Sequence, residues 1–152
     1  MDTIRAMTLL DTTAPAATRA QAMVEFATPS HPKSISRIRA RVRRFARSLG
    51  FTSGELDDIC IAVGEAATNA MKHGGSLEHP TIGIRMERDS DALRVLISDG
   101  GRGFDPAKVC PPGIDDLSEC GRGIMCMCAL MDEVRFNALN PGTRVEMVKY
   151  AS

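Results

Sequence analysis

The spacing of apolar residues changes along the chain from a helical period to a strand period, and this order limits the possible folds. From Ile35 to Leu49 the apolar positions follow steps of 3, 4, 3 and 4 residues, which predicts an amphipathic helix ended by Gly50. A second helix is predicted to begin at Thr52, where Thr-x-x-Glu has the form of a capping box, and to end at Gly74. Strict alternation in residues 81–87 and 92–98 then predicts two strands joined by a turn.

The remaining segments complete an α/β pattern. Residues 20–27 predict a strand, residues 121–133 a third helix, and residues 134–140 and 143–150 two strands around a Pro-Gly turn. The order β-α-α-β-β-loop-α-β-β favours an α/β two-layer sandwich, with an antiparallel or mixed sheet and helices on one face. We expect residues 1–18 to form a flexible N-terminal arm, residues 104–120 a mobile loop, and residues 19–152 one domain.

Composition argues against several classes of function. The chain has 152 residues with 19 basic and 19 acidic side chains, and its net charge of zero disfavours a general polyanion binder. The longest apolar run, residues 124–131, is too short to cross a bilayer, and no signal peptide is recognisable. The five cysteines lack the spacing of a metal site or a disulfide framework. We therefore expect free or structural thiols, no membrane association and a cytoplasmic location.

The predicted second helix carries the first candidate site. Glu65 and Asn69 are one helical turn apart and share a face. A carboxylate can accept a proton there, while an amide oxygen can ligate a hard cation without repelling it. Taken alone, such a pair is far more typical of a solvated helix flank.

Two glycine-containing motifs carry further candidates. Asp99 ends a hydrophobic strand and precedes Gly101 and Gly103, so its carboxylate could accept a hydrogen bond from an exocyclic amine while the bare glycines admit a flat ring. Gly121 and Gly123 open the predicted third helix, where backbone N–H groups suit a phosphate. A tight turn and a helix-entry turn are the plainer alternatives for each motif alone.

The order of these motifs resembles the Bergerat-type ATPases of the GHKL superfamily. The matching sequences are, in order, E-A-A-T-N-A-M-K-H-G, D-G-G-R-G, G-R-G-I and P-G-T. The resemblance covers residues 20–150 and is closest to the anti-sigma-factor serine kinases, the small branch related to histidine-kinase catalytic domains. It implies the Bergerat-type fold, with ATP and Mg²⁺ as cofactors.

The resemblance also implies individual roles. Asn69 would hold Mg²⁺ against the triphosphate, and Glu65 would be the general base toward the accepting hydroxyl. Asp99 would read adenine, supported by Gly101 and Gly103.

Further roles follow from the same resemblance. Gly121, Arg122 and Gly123 form the second glycine box and would bind nucleotide at the far hinge of a lid formed by residues 104–120. Thr143 would lie near the adenine, and His73 is expected to serve in packing or capping.

The chain departs from the family at one place. Close relatives often carry an arginine just before the second glycine box, whereas this sequence has Glu119 and Cys120 there. The departure affects the expectations for phosphoryl transfer and for binding of a protein partner more than the expectation of ATP binding.

The predicted first helix is strongly basic and contains no acidic residue. Three interpretations are open: nucleic-acid binding, which the lack of stacking aromatics disfavours, a solvated face, and a docking surface for an acidic protein. The basic residues are Lys33, Arg37, Arg39, Arg41, Arg43, Arg44 and Arg47.

The expected function is that of an ATP-dependent serine/threonine protein kinase and anti-sigma factor. By resemblance, it would phosphorylate an anti-anti-sigma protein of the STAS type and sequester an RNA polymerase sigma factor. It is also expected to form a homodimer and to make no direct nucleic-acid contact. Two alternatives stay open: a non-catalytic ATP-binding partner-switching module, and an isolated histidine-kinase catalytic domain, which a missing phosphoacceptor segment disfavours.

Overall fold

The computed structural model describes residues 22–73, 80–100, 119–139 and 142–152. Its helices and strands follow one another in the predicted order. The elements are β1 (Met23–Pro29), α1 (Ser34–Ser48), α2 (Ser53–His73), β2 (Thr81–Asp89), β3 (Ala92–Asp99), α3 (Glu119–Leu130), β4 (Glu133–Ala138) and β5 (Thr143–Tyr150).

The described strands form one antiparallel sheet in the order β1-β2-β3-β5-β4. Alternate side chains of β2, β3 and β5 enter a single core shared with α1, α2 and α3, and most of these are less than 2% exposed. The opposite face of the sheet carries mainly polar and charged side chains, such as Arg85, Arg94 and Glu146. The predicted two-layer sandwich is confirmed, and the sheet is antiparallel rather than mixed.

Helix α2 begins with the capping box that the sequence predicts. The Thr52 backbone N–H donates to Glu55 Oε2 at 2.8 Å, and the Glu55 N–H donates to Thr52 Oγ1 at 3.3 Å. The hydrogen bond from the Thr52 backbone, followed by the one from Ser152, lowers the pKa of the Glu55 carboxyl from 4.5 to about 2. The cap therefore favours the ionised carboxylate and ties the start of α2 to the chain end.

Several predicted boundaries need correction. Strand β1 begins at Met23 and includes Pro29, later than the predicted 20–27, and the hairpin turn between β2 and β3 contains only Ser90 and Asp91. Helix α3 begins at Glu119 and ends at Leu130, whereas residues 121–133 were expected. The arm at residues 1–18 and loop residues 104–118 lie outside the described residues.

Three further properties of the described residues concern membrane spans, thiols and metal sites. No described helix is long and apolar enough to cross a membrane. Cys60, Cys126 and Cys128 are free thiols. Within the described ranges, no group of three or more His, Cys, Asp or Glu side chains is placed to hold a metal ion.

Candidate functional site

Asp99 and Thr143 lie side by side at one end of the sheet. They face each other in the register of β3 and β5, and their side chains are buried, with exposures of 7% and 4%. Gly142 makes this arrangement possible: its φ is +101°, and an added Cβ would overlap the Asp99 backbone carbonyl. Asp99 and Thr143, which lie far apart in the sequence, therefore form one polar pair in the fold.

A cavity between α2 and the sheet unites three predicted site residues. Asn69 from α2, Asp99 from β3 and Thr143 from β5 all line it. Its other walls are apolar and come from α2, α3 and three strands. These residues are Ala66, Ala70, Ile97, Met127, Phe136 and Val145. A few polar groups that converge on an otherwise apolar cavity are the usual composition of a small-molecule site.

Glu65 and Asn69 meet the second glycine box at Gly123. An added Cβ on Gly123 would lie 3.1 Å from Glu65 Oε2 and 3.5 Å from each terminal atom of the Asn69 amide. Gly123 is buried, whereas Glu65 and Asn69 are half-buried. The structure therefore brings the N-terminal turns of α3 against the face of α2 that the sequence predicts to be functional.

The second glycine box lies within the first turns of α3. The N–H groups of the first turn of an α-helix have no intrahelical acceptor, and in a helix that spans Glu119–Leu130 these include the N–H of Gly121. Gly121 is therefore placed to present its N–H group to an anion, and the expected nucleotide contact of Arg122 stays a prediction. Gly123 lies further inside the helix and permits close packing against α2, and its expected contact with nucleotide stays a prediction.

Some predicted site residues cannot be compared with the fold. Gly101, Gly103 and residues 104–118 of the expected lid lie outside the described residues, as do the side chains of His73, Glu119 and Cys120. Their roles stay predictions.

Two neighbours of the site carried no predicted role. Phe136 lines the cavity, and the alternation of its strand was the signal that could have placed it on the inner face. Cys126 lies in the field of Glu65: burial, and then the negative charge of Glu65, raise the pKa of its thiol. The sequence offered no comparable signal for Cys126.

The sequence matches the histidine kinase-like ATPase domain family over residues 28–149. It is 34% identical over 140 residues to the serine-protein kinase RsbW of Bacillus velezensis, with 84% of each chain covered. For the serine-protein kinase RsbW of Bacillus subtilis the identity is 35% over 140 residues, again with 84% of each chain covered. The predicted resemblance to anti-sigma-type serine kinases is thereby confirmed.

Solved structures show the same fold. The RsbU and RsbW domains of a Mycobacterium tuberculosis protein superpose with a TM-score of 0.62 at 18% identity, over 86% of this chain and 33% of the longer chain. The histidine kinase domain of a blue-light-activated kinase from Erythrobacter litoralis gives a TM-score of 0.52 at 21% identity, over 97% and 76% of the two chains. At these identities the likeness concerns the fold alone, and it confirms the predicted Bergerat-type architecture.

Proposed function

This chain belongs to the histidine kinase-like ATPase family, and we propose that it is an ATP-dependent serine/threonine protein kinase of the anti-sigma type. Its substrate would be a serine or threonine of a STAS-type anti-anti-sigma protein, and it would sequester a sigma factor when that protein is phosphorylated. Its location would be the cytoplasm. The observation that carries the proposal is the joint placement of Asn69, Asp99 and Thr143 around one cavity, with Glu65 beside it at Gly123.

The residues of the site fit ATP and a divalent cation. The buried Asp99 carboxylate can accept a hydrogen bond from the adenine amine, and the apolar walls can cover the ring faces. The Asn69 amide oxygen would hold Mg²⁺, and the first N–H groups of α3 would face the phosphates. ATP, when bound, supplies the phosphoryl group and the leaving ADP oxygen.

Glu65 would then take the proton of the substrate hydroxyl. It is half-buried and lies within one helical turn of Asn69, so a hydroxyl held near the phosphates is within reach of its carboxylate. Because phosphoryl transfer depends mainly on positioning and on neutralising charge, most of the rate should come from this alignment.

Incubation with labelled ATP and candidate STAS domains tests the proposal. The expected product is a STAS domain that carries an acid-stable phosphate on serine or threonine. An acid-labile label would instead support an isolated histidine-kinase catalytic domain. If ATP binds but label reaches neither candidate domain nor histidine, the proposed kinase activity is wrong.

A non-catalytic ATP-binding switch is the second candidate. It is favoured by the sequence at Glu119 and Cys120, where relatives often have an arginine. Such a switch would release or hold a partner on exchange of ATP for ADP, without transfer of phosphate. Partner binding that depends on the nucleotide, combined with no turnover, would support it.

Gly123→Ala should lower phosphoryl transfer about tenfold, because the new methyl group would press on Glu65 and Asn69 and displace them by a few tenths of an ångström. Initial rates of STAS phosphorylation measure the effect, with thermal unfolding as a check on folding. Gly54→Ala is the matched control, since it also adds a methyl group to a helical glycine but meets nothing within 4 Å. Equal rates for the two variants would contradict the proposed contact.

The basic face of α1 supports the partner proposal. Three of its arginines are engaged within the protein: Arg43 lies 2.8 Å from Asp57, Arg41 stacks 3.9 Å from the Phe26 ring, and Arg39 lies against the α2 backbone at Gly64. The other basic side chains are exposed and have no ion pair with the described carboxylates. They are Lys33, Arg37, Arg44 and Arg47. We propose that these four attract an acidic surface of the protein partner.

Arg44→Glu should weaken partner binding roughly tenfold at low salt, mostly through slower association, because rim charges act chiefly on the association rate. Surface plasmon resonance at two salt concentrations measures this. Arg135→Glu is the control, since Arg135 is 62% exposed on β4 and gives the same change of net charge. If both variants bind alike, or if Arg44→Glu loses affinity only for DNA, the docking assignment fails.

The face of the sheet that no described helix covers supports the proposed homodimer. Charges of both signs lie close together on it: Arg94 lies 2.9 Å from Asp89 and 3.2 Å from Glu146. A face with both signs can be complementary to itself across a two-fold axis. Sedimentation over a wide concentration range should show a dimer, and a monomer throughout would refute this part of the proposal.

A further inference from the structure

Phe136 is one end of a row of apolar side chains that crosses the whole sheet. The strand registers pair Phe136 with Val145, Val145 with Ile97, Ile97 with Ile84, and Ile84 with Phe26. Paired residues share a face, and this face is the one that packs on the core. Each edge of the sheet therefore contributes one phenylalanine to the same row, and both rings are partly buried.

The two phenylalanines have different surroundings. Phe26 is covered by the Arg41 guanidinium of α1, 3.9 Å from its ring centre. Phe136 lines the cavity that Asn69, Asp99 and Thr143 also line. Among the residues described around that cavity, Phe136 is the one aromatic side chain.

The position of Phe136 relative to the polar pair is fixed by the sheet. Thr143 pairs with Asp99 and with Ala138, and the inward-facing row next to this one contains Val145 and Phe136. Phe136 thus lies one row along the strands and two strands across from Asp99, whose carboxylate would read the edge of a purine. The ring of Phe136 and the carboxylate of Asp99 can address the same bound base, one through its face and the other through its edge.

We propose that Phe136 is a base-binding residue that packs its ring on the purine base, an inference that rests on the proposed ATP site. A base held only by hydrogen bonds along one edge can tilt, whereas a ring against its face restricts the tilt and excludes water. The contribution belongs to the base and not to the phosphates. Loss of the ring should therefore weaken the binding of nucleotides and leave the binding of ligands without a base unchanged.

Calorimetry on Phe136→Leu tests this, with Phe26→Leu as the matched control. Both variants replace a half-buried edge phenylalanine of the same row with an aliphatic side chain. Phe136→Leu should lower the affinity for Mg·ATP about tenfold, within the range expected for stacking on a base, and leave the affinity for Mg·tripolyphosphate unchanged. Phe26→Leu should change neither affinity.

A fluorescent variant gives an independent measurement. The chain has no tryptophan, so Phe136→Trp introduces a single reporter. Its emission should change on addition of ATP and stay constant with tripolyphosphate.

The outcomes separate this inference from the proposed function. If the wild type does not bind ATP, the proposed function itself fails. If the wild type binds ATP but Phe136→Leu and Phe26→Leu bind it alike, only the role of Phe136 is refuted. An equal loss of affinity for ATP and tripolyphosphate would likewise refute it, because the defect would then be structural.

Discussion

Glu65→Gln should lower phosphorylation of the STAS partner by about 10²–10⁴-fold, the usual contribution of a positioned general base. The amide keeps the size and polarity of the carboxylate but cannot accept the hydroxyl proton. Affinity for ATP and for the partner should survive, because the substitution leaves Asn69, Asp99 and Thr143 in place around the cavity. Single-turnover phosphorylation, measured beside calorimetric ATP binding, separates these two effects.

Asn69→Ala provides the contrast for that measurement. It removes the proposed Mg²⁺ ligand and should weaken Mg²⁺-dependent ATP binding itself, whereas Glu65→Gln should not. Glu25→Gln on the exposed edge strand β1 is the control for an equal change of charge. A Glu65→Gln variant that phosphorylates the partner at the wild-type rate would refute the base role. If neither the wild type nor Glu65→Gln phosphorylates the partner, the non-catalytic switch is favoured.

The local elements could be predicted because their signals lie within a few residues. The stripe of α1 contains Ile38, Val42 and Phe45, which are all buried, and the capping box at Thr52 forms with both of its hydrogen bonds. Strand β5 also has its predicted ends. Each of these features depends on a period or a cap that the chain carries locally.

The site's geometry could not be read from local pattern, because it depends on contacts between distant segments. Two glycines favoured a helix start at Gly121, since glycine is a weak helix former. In the fold, however, α3 spans Glu119–Leu130, so Gly123 lies inside the helix, where an added Cβ would lie only 3.1 Å from Glu65 Oε2. The pairing of Asp99 with Thr143 likewise follows from strand register, which alternation alone does not specify.

Asp99→Asn should lower the affinity for ATP roughly ten- to a hundredfold, which corresponds to about 1–3 kcal/mol for a lost or reversed hydrogen bond. The side chain is only 7% exposed, so water cannot readily replace the lost partner. Asp91→Asn is the matched control, because it makes the same chemical replacement at an exposed turn residue just before β3. Titration calorimetry of both variants measures the difference.

The same carboxylate should decide between the purines. Adenine presents an amine to an acceptor at Asp99, whereas guanine presents a carbonyl at the corresponding position and would place two acceptors face to face. The buried pair of Asp99 and Thr143 leaves the carboxylate little freedom to turn away, since Gly142 holds the β5 backbone against the end of β3. Wild-type protein should therefore bind ATP much more tightly than GTP. Asp99→Asn should reduce the difference between the two affinities, because its affinity for ATP falls. Equal affinities of the wild type for ATP and GTP would show that Asp99 does not read the base.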